Sequence, residues 1–150
     1  MRNKILSFIT YKKKLLALRN NPSNLKHGGN FWFTLTGNLE KGETHEEAVK
    51  RELKEETGLN ILHLLPLNWG SIYKNRNKLF KELDYVSFVD SNKIKLSEEH
   101  IEYKWLNLED FIKKIDWFDD KKLLKRILIK ALYKKIYFNK LSIINYMEKD

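Results

Sequence analysis

The sequence predicts an α/β domain in which a mixed β-sheet lies between helical layers. Three observations carry this reading. Short segments rich in β-branched and aromatic residues alternate with segments of helical period. One helix, over residues 44–57, is framed by both a start and a stop signal. A second helical pattern runs from about 119 to 138, with Leu123, Leu124, Ile127, Leu128, Ala131 and Leu132 at helical spacing. The 150 residues suit a single domain spanning 1–150, and no internal repeat or linker divides it.

The elements follow in order. Residues 4–10 and 14–19 read as two strands joined through Tyr11-Lys12-Lys13. Residues 20–30 hold Pro22, Gly28 and Gly29 among polar neighbours and read as a loop; residues 31–36 form a short strand. Thr44 and Glu47 have the spacing of a capping box, which starts the helix, and Gly58 suits the left-handed residue that ends it. Residues 60–70 read as one bent or interrupted strand, which residues 71–76 either continue or turn away from. Residues 83–89 alternate and predict a central strand. A last strand over 102–106 leads into a helix over 108–115, and residues 139–150 form a tail of ambiguous amphipathic pattern.

Composition excludes several classes. A 42% hydrophobic and 13% aromatic content excludes a disordered chain. The absence of cysteine removes disulfides, thiolate metal sites and cysteine nucleophiles. No segment reaches the roughly 20 apolar residues needed to span a bilayer, and the start has no signal-peptide pattern, so the expectation is a soluble, cytoplasmic protein with no membrane partner. The net charge of +9 raises nucleic acid as a partner, but the lysines are dispersed along the chain. A basic surface equally favours the arrival of a polyphosphate. Either a monomer or a homodimer fits.

The helix at 44–57 carries an electrostatic anomaly. At about 100° per residue, Glu52, Glu55 and Glu56 share a sector of roughly 100°. They lie near the helix's C-terminal end, where backbone carbonyls already carry partial negative charge and neighbouring carboxylates repel. Val49 and Leu53 lie beside this stripe and can anchor the helix to a core. A solvated helix of i,i+4 pairs explains Glu46–Lys50, Glu47–Arg51 and Arg51–Glu55, but not the preceding loop, where Gly37 and Gly42 bracket four residues and Glu43 closes the turn. A divalent cation is the simplest outside source of compensation.

The segment Gly37 to Leu59 resembles the Nudix box. Its pattern is Gly, five residues, Glu, seven residues, then Arg-Glu-hydrophobic-x-Glu-Glu-x-Gly-hydrophobic, and Gly37, Glu43, Arg51, Glu52, Leu53, Glu55, Glu56, Gly58 and Leu59 fill every defined position. The resemblance implies an α/β/α sandwich and a metal-dependent hydrolase of nucleoside diphosphates linked to another group. It implies that Glu52 and Glu56 are metal ligands, that Glu55 is a further ligand or the base, that Arg51 orients the carboxylates, and that Glu43 supports the loop or reaches metal through water. The implied cofactor is Mg²⁺, with Mn²⁺ able to substitute, and the implied partner is a nucleotide or related polyphosphate.

Two stretches are similar to the branch of dATP pyrophosphohydrolases (dihydroneopterin triphosphate diphosphatases). Phe31, Trp32, Thr36, Gly37, Glu40, Gly42, Glu43 and Thr44 fit its entry to the box, and Glu99, His100, Tyr103, Lys104, Trp105 and Leu106 fit its later motif. The likeness covers about residues 4–130. It implies pyrophosphate release from a nucleoside-triphosphate-like substrate, with Glu99 (or adjacent Glu98) as a distal metal ligand. Gly37 would lie at the substrate, and Arg19 is a candidate for steadying phosphoryl charge. Phe31 and Trp32 would stack on a base or pack in the core, and His100 reads as structural rather than as a base. The loop at 20–30 is longer, and the segment 70–82 shorter, than the branch leads one to expect. The substrate is therefore left open among dATP, dihydroneopterin triphosphate, a dinucleoside polyphosphate, ADP-ribose and an RNA 5′ end. A non-catalytic nucleotide- or RNA-binding domain is the reading from another class.

Overall fold

The computed structural model describes residues 1–23, 30–117 and 119–133. Among them are β1 (Arg2–Tyr11), β2 (Lys14–Asn20), β3 (Trp32–Phe33), β4 (Leu35–Asn38), α1 (His45–Thr57), β5 (Ile61–Asn75), β6 (Lys78–Val89), β7 (His100–Leu106), α2 (Leu108–Lys114) and α3 (Lys121–Tyr133). Together they make the expected sandwich, a mixed sheet between helical layers.

β1 organises the sheet. It runs parallel to β6 from Arg2↔Phe80 to Thr10↔Phe88 and antiparallel to β4 from Lys4↔Asn38 to Ser7↔Leu35. At its far end it meets β2 through a turn in which Lys12 and Lys13 have positive φ. β2 in turn pairs with β3 and β7, and β5 closes the other edge against β6.

Period-two alternation along β1 divides the core. Leu6 and Phe8 face α2 and α3, where Phe8 meets Phe111 edge-on with ring centroids 6.2 Å apart. Ile5 and Ile9 face the opposite layer: Ile5 packs on Ala48 and Val49, and Ile9 shares a cluster with Leu53. α1 is thus pinned by its apolar stripe, which leaves the neighbouring acidic stripe facing the end of β4.

The structure redraws some expected boundaries. The strand expected over 31–36 is two pieces, because Trp32–Phe33 bonds to β2 and Leu35–Asn38 to β1. The bend expected in 60–70 is present as a register shift between Pro66 and Gly70, with Asn68 at φ 49°. At Gly70 a Cβ would lie 1.9 Å from the Glu82 carbonyl oxygen, so only glycine fits. β5 continues to Asn75, and β6 starts at Lys78 rather than 83, because Arg76 and Asn77 form a tight turn with φ of 50° and 63°. The last helix is described from Lys121 to Tyr133; residues 134–138 of the expected helix, the tail at 139–150 and residues 24–29 of the loop lie outside the described residues. No helix among the described residues is long and apolar enough to cross a membrane.

Candidate active site

The box helix is built as its sequence dictates. Thr44 accepts from the Glu47 N–H while Glu47 accepts from the Thr44 N–H, and Gly58 ends the helix at φ 76°. The preceding loop turns at Gly42, φ 81°. Gly37 has a different reason. A Cβ there would lie 2.5 Å from the side-chain carbons of Glu52, so the missing side chain is the space through which Glu52 passes.

Arg51 is the hub of the carboxylates. Its guanidinium makes a two-pronged contact with Glu43 at 2.7 and 3.0 Å and donates to Glu52 at 2.9 Å, to Glu55 at 3.3 Å and to the Asn38 carbonyl at 2.8 Å. The paired hydrogen bonds hold the Glu43 carboxyl below its usual range and raise the already high pKa of Arg51. Glu52 behaves differently: burial pushes its carboxyl up to about 7, against the pull of Arg51.

Glu56 faces another way. It is 3% exposed, accepts from Ser97 Oγ at 2.6 Å, and lies 3.0 Å from His100 Nδ1. Burial alone would raise its carboxyl; hydrogen bonds with His100, Glu99 and Ser97 outweigh it and bring it down to about 2. His100 is therefore a holder of Glu56, in line with its structural reading. Ser97, in the loop before β7, carries no motif signal and was invisible in sequence.

The expected ligands Glu52, Glu55, Glu56 and Glu99 do not converge on one point. Among the described residues no three acidic or histidine side chains gather closely enough to hold a metal ion. The cause is competition: Arg51 draws Glu52 and Glu55, while Ser97 and His100 draw Glu56. The donor set nevertheless suits a hard divalent cation. Every expected ligand is a carboxylate, Glu56 and Glu99 share a hydrogen bond that a cation can replace, and Glu52, Glu55 and Glu99 line one cavity of about 550 Å³.

That cavity is also walled by Thr36, Gly37 and Lys4. Lys4 and Thr36 line a second cavity as well, of about 860 Å³, walled by Phe31, Phe33 and Tyr73 with Glu82 among its polar residues. The two spaces thus meet at Lys4, which had no role in the sequence reading. Of the expected substrate residues, Gly37 lies in the first cavity and Phe31 in the second. Trp32 lines neither; it packs against the core with the ammonium groups of Lys114 and Lys104 over its ring at 4.6 and 5.6 Å. Arg19 lines neither cavity and is engaged by Glu102 at 3.2 Å and Asn30 at 2.9 Å.

The model of the NUDIX domain family matches residues 2–127. This chain belongs to the Nudix family. Its Nudix domain is 28% identical over 118 residues to a protein of Myxococcus xanthus described as an octanoyltransferase, covering 75% of this chain and 32% of that protein. It is 31% identical over 91 residues to the nucleoside triphosphatase NudI of Escherichia coli, covering 54% of this chain and 64% of that one. The chain thus spans less than two thirds of the length of these curated relatives. Among solved structures it resembles the Escherichia coli dihydroneopterin triphosphate pyrophosphohydrolase, with a TM-score of 0.67 and 21% identity over 85% of this chain and 95% of that one, a likeness of fold.

Proposed function

We propose that this Nudix domain is a Mg²⁺-dependent hydrolase that cleaves a phosphoanhydride bond of a nucleoside-triphosphate-like substrate, of the dATP or dihydroneopterin triphosphate type, and releases pyrophosphate. The observation that carries the reading is the meeting of two unlike cavities at Lys4 and Thr36. One is lined by the box carboxylates and suits phosphates held with cations; the other has aromatic walls and suits a flat ring.

Within this cleft Glu52, Glu56 and Glu99 would hold Mg²⁺ or Mn²⁺, which supplies charge neutralisation at phosphate oxygens and a more acidic water. Arg51 sets the direction of Glu52 and Glu55, and Glu43 fixes Arg51 in turn. Ser97 and His100 fix Glu56. Glu55, the most exposed of the three helix carboxylates, would accept a proton from the attacking water. Lys4 lines both spaces, at the junction between the ring and the phosphates.

A substrate panel tests this. Incubation with dATP, dihydroneopterin triphosphate, a dinucleoside polyphosphate, ADP-ribose and a 5′-triphosphorylated RNA, each with Mg²⁺ and with Mn²⁺, should release pyrophosphate from the triphosphate monomers fastest. Nucleotide binding without turnover of any panel member, under either metal, would overturn the hydrolase reading.

A further inference from the structure

The ring-side cavity contains a group that the cleavage chemistry does not use. Glu82 lies on its wall at 8% exposure, on the middle of β6. Two residues further along the same strand, and so on the same face, Asp84 is 4% exposed, and its Oδ1 has no hydrogen-bond partner among the described residues. Across β1, Lys4 is the register partner of Glu82. Burying two carboxyls side by side is costly unless one stays neutral. Burial and the charge of Glu82 drive the Asp84 carboxyl well above its usual range, so Asp84 keeps its proton and donates to Glu82. Burial raises the Glu82 carboxyl, and the hydrogen bond from Asp84 and the charge of Lys4 pull it back toward the charged form. The result is a carboxylate that only accepts hydrogen bonds, on the wall of a cavity also lined by Lys4, whose ammonium, a donor only, lies 5.5 Å from the centre of the Phe80 ring.

We propose that Glu82 and Lys4 select the ring of the substrate, reading an edge that presents a carbonyl oxygen, a ring N–H and an exocyclic amine in succession, as guanine and pterin do. Glu82 accepts from the ring N–H and the amine in a paired contact, and Lys4 donates to the carbonyl oxygen. An adenine edge reverses this order: its amine would face the Lys4 donor and its ring nitrogen the Glu82 acceptor. Phe31, Phe33 and Tyr73 supply the apolar walls for the ring's faces. The inference rests on the two cavities forming one substrate cleft. It narrows the triphosphate class proposed above to substrates with a 2-amino-4-oxopyrimidine edge, and so ranks dihydroneopterin triphosphate and dGTP above dATP.

The test compares dGTP with dITP, which differ only by the exocyclic amine, in two measurements. The first is equilibrium binding of their non-hydrolysable α,β-imido analogues in Mg²⁺; the second is kcat/KM for the triphosphates themselves. Wild-type protein should prefer the guanine compound by about tenfold or more in both, the size expected for a hydrogen bond to a charged acceptor. In Glu82→Gln the guanine-to-hypoxanthine ratio should collapse towards one, with the change in KM rather than kcat. Dihydroneopterin triphosphate turnover should fall with dGTP, which distinguishes the two sources of this edge from dATP.

Equal affinity of the wild type for the guanine and hypoxanthine analogues, or a preference for dATP, would overturn the proposal, and neither measurement depends on the variant folding. Discrimination in binding without turnover would leave the ring reading standing and remove the hydrolase reading. Turnover without discrimination would do the opposite.

Discussion

Two groups of carboxylates lie in or beside adjoining cavities and are stabilised in opposite ways. At α1, Glu43 of the preceding loop and Glu52 and Glu55 of the helix gather around Arg51, which touches all three. On β6, Glu82 and Asp84 are more deeply buried and have one cation, Lys4, and one shared proton between them. The first arrangement holds several charges at once and suits a place where phosphates and cations come and go. The second holds a single charge and suits reading a neutral ring. The difference shows that acidity in a sequence says little until the cation that answers it is located.

Breaking each group in turn should expose that difference. The largest effect is expected from Glu56→Gln, which keeps the shape and the contact with Ser97 while removing the charge. In the hydrolysis assay kcat should fall by about 10²–10⁴ with little change in thermal unfolding; near wild-type turnover would remove Glu56 from the metal set.

Arg51→Met should come next. It leaves Glu43 and Glu52 without their cation and should cost about 2 kcal/mol of stability near neutral pH, by chemical denaturation. The sign of its pH dependence follows from Glu43. Its carboxyl is lowered below 4.5 by Arg51 in the folded state, so its contribution is present above that value and is lost as pH falls through the lowered one. The gap between wild type and variant should therefore shrink in acid. A gap that widened there would contradict the hub role of Arg51.

Gly37→Ala is expected to cost about tenfold in kcat/KM with a smaller loss of stability, because its Cβ displaces Glu52 rather than the backbone. The smallest effect should come from the β6 pair. Asp84→Asn keeps a donor for Glu82 but cannot ionise. The raised pKa of Asp84 means that wild-type stability declines as pH rises above its usual value of 3.8. The variant should thus match or exceed wild type at about pH 8, and the advantage should vanish at about pH 4 in thermal unfolding. A variant less stable than wild type across the whole range would show that Asp84 is not held protonated.

The same contrast explains what was legible in sequence. The box was readable because it is local: Gly37, Thr44, Arg51, Glu52, Glu56 and Gly58 lie within one strand end, the loop that follows it and one helix, where spacing alone sets direction. The ring-side cavity was not, because Lys4, Phe31, Tyr73, Glu82 and Asp116 come from segments far apart and meet only once β1 pairs with β6 in parallel. The strand expected there began at 83, so Glu82 lay outside it, and alternation alone could not tell that the face carrying Asp84 is covered. The same limit applies to Arg19, whose partner Glu102 is brought opposite it by the β2–β7 register. Trp32 follows a similar course: an aromatic beside a box entry invites a stacking role, and only the placement of Lys104 and Lys114 over its ring shows how it is used.

One consequence of the β1 pairing concerns size. Gly37 on β4 and Glu82 on β6 flank neighbouring residues of β1 on its two sides. With strands about 4.8 Å apart, the two ends of the cleft are separated by roughly 10 Å. β1 therefore acts as a ruler that no side-chain substitution can shorten. Inorganic pyrophosphate is too short to touch both marks, whereas a ring carried on a sugar or side chain ahead of its phosphates is long enough. On the proposed reading, length is selected before any hydrogen bond reads the ring.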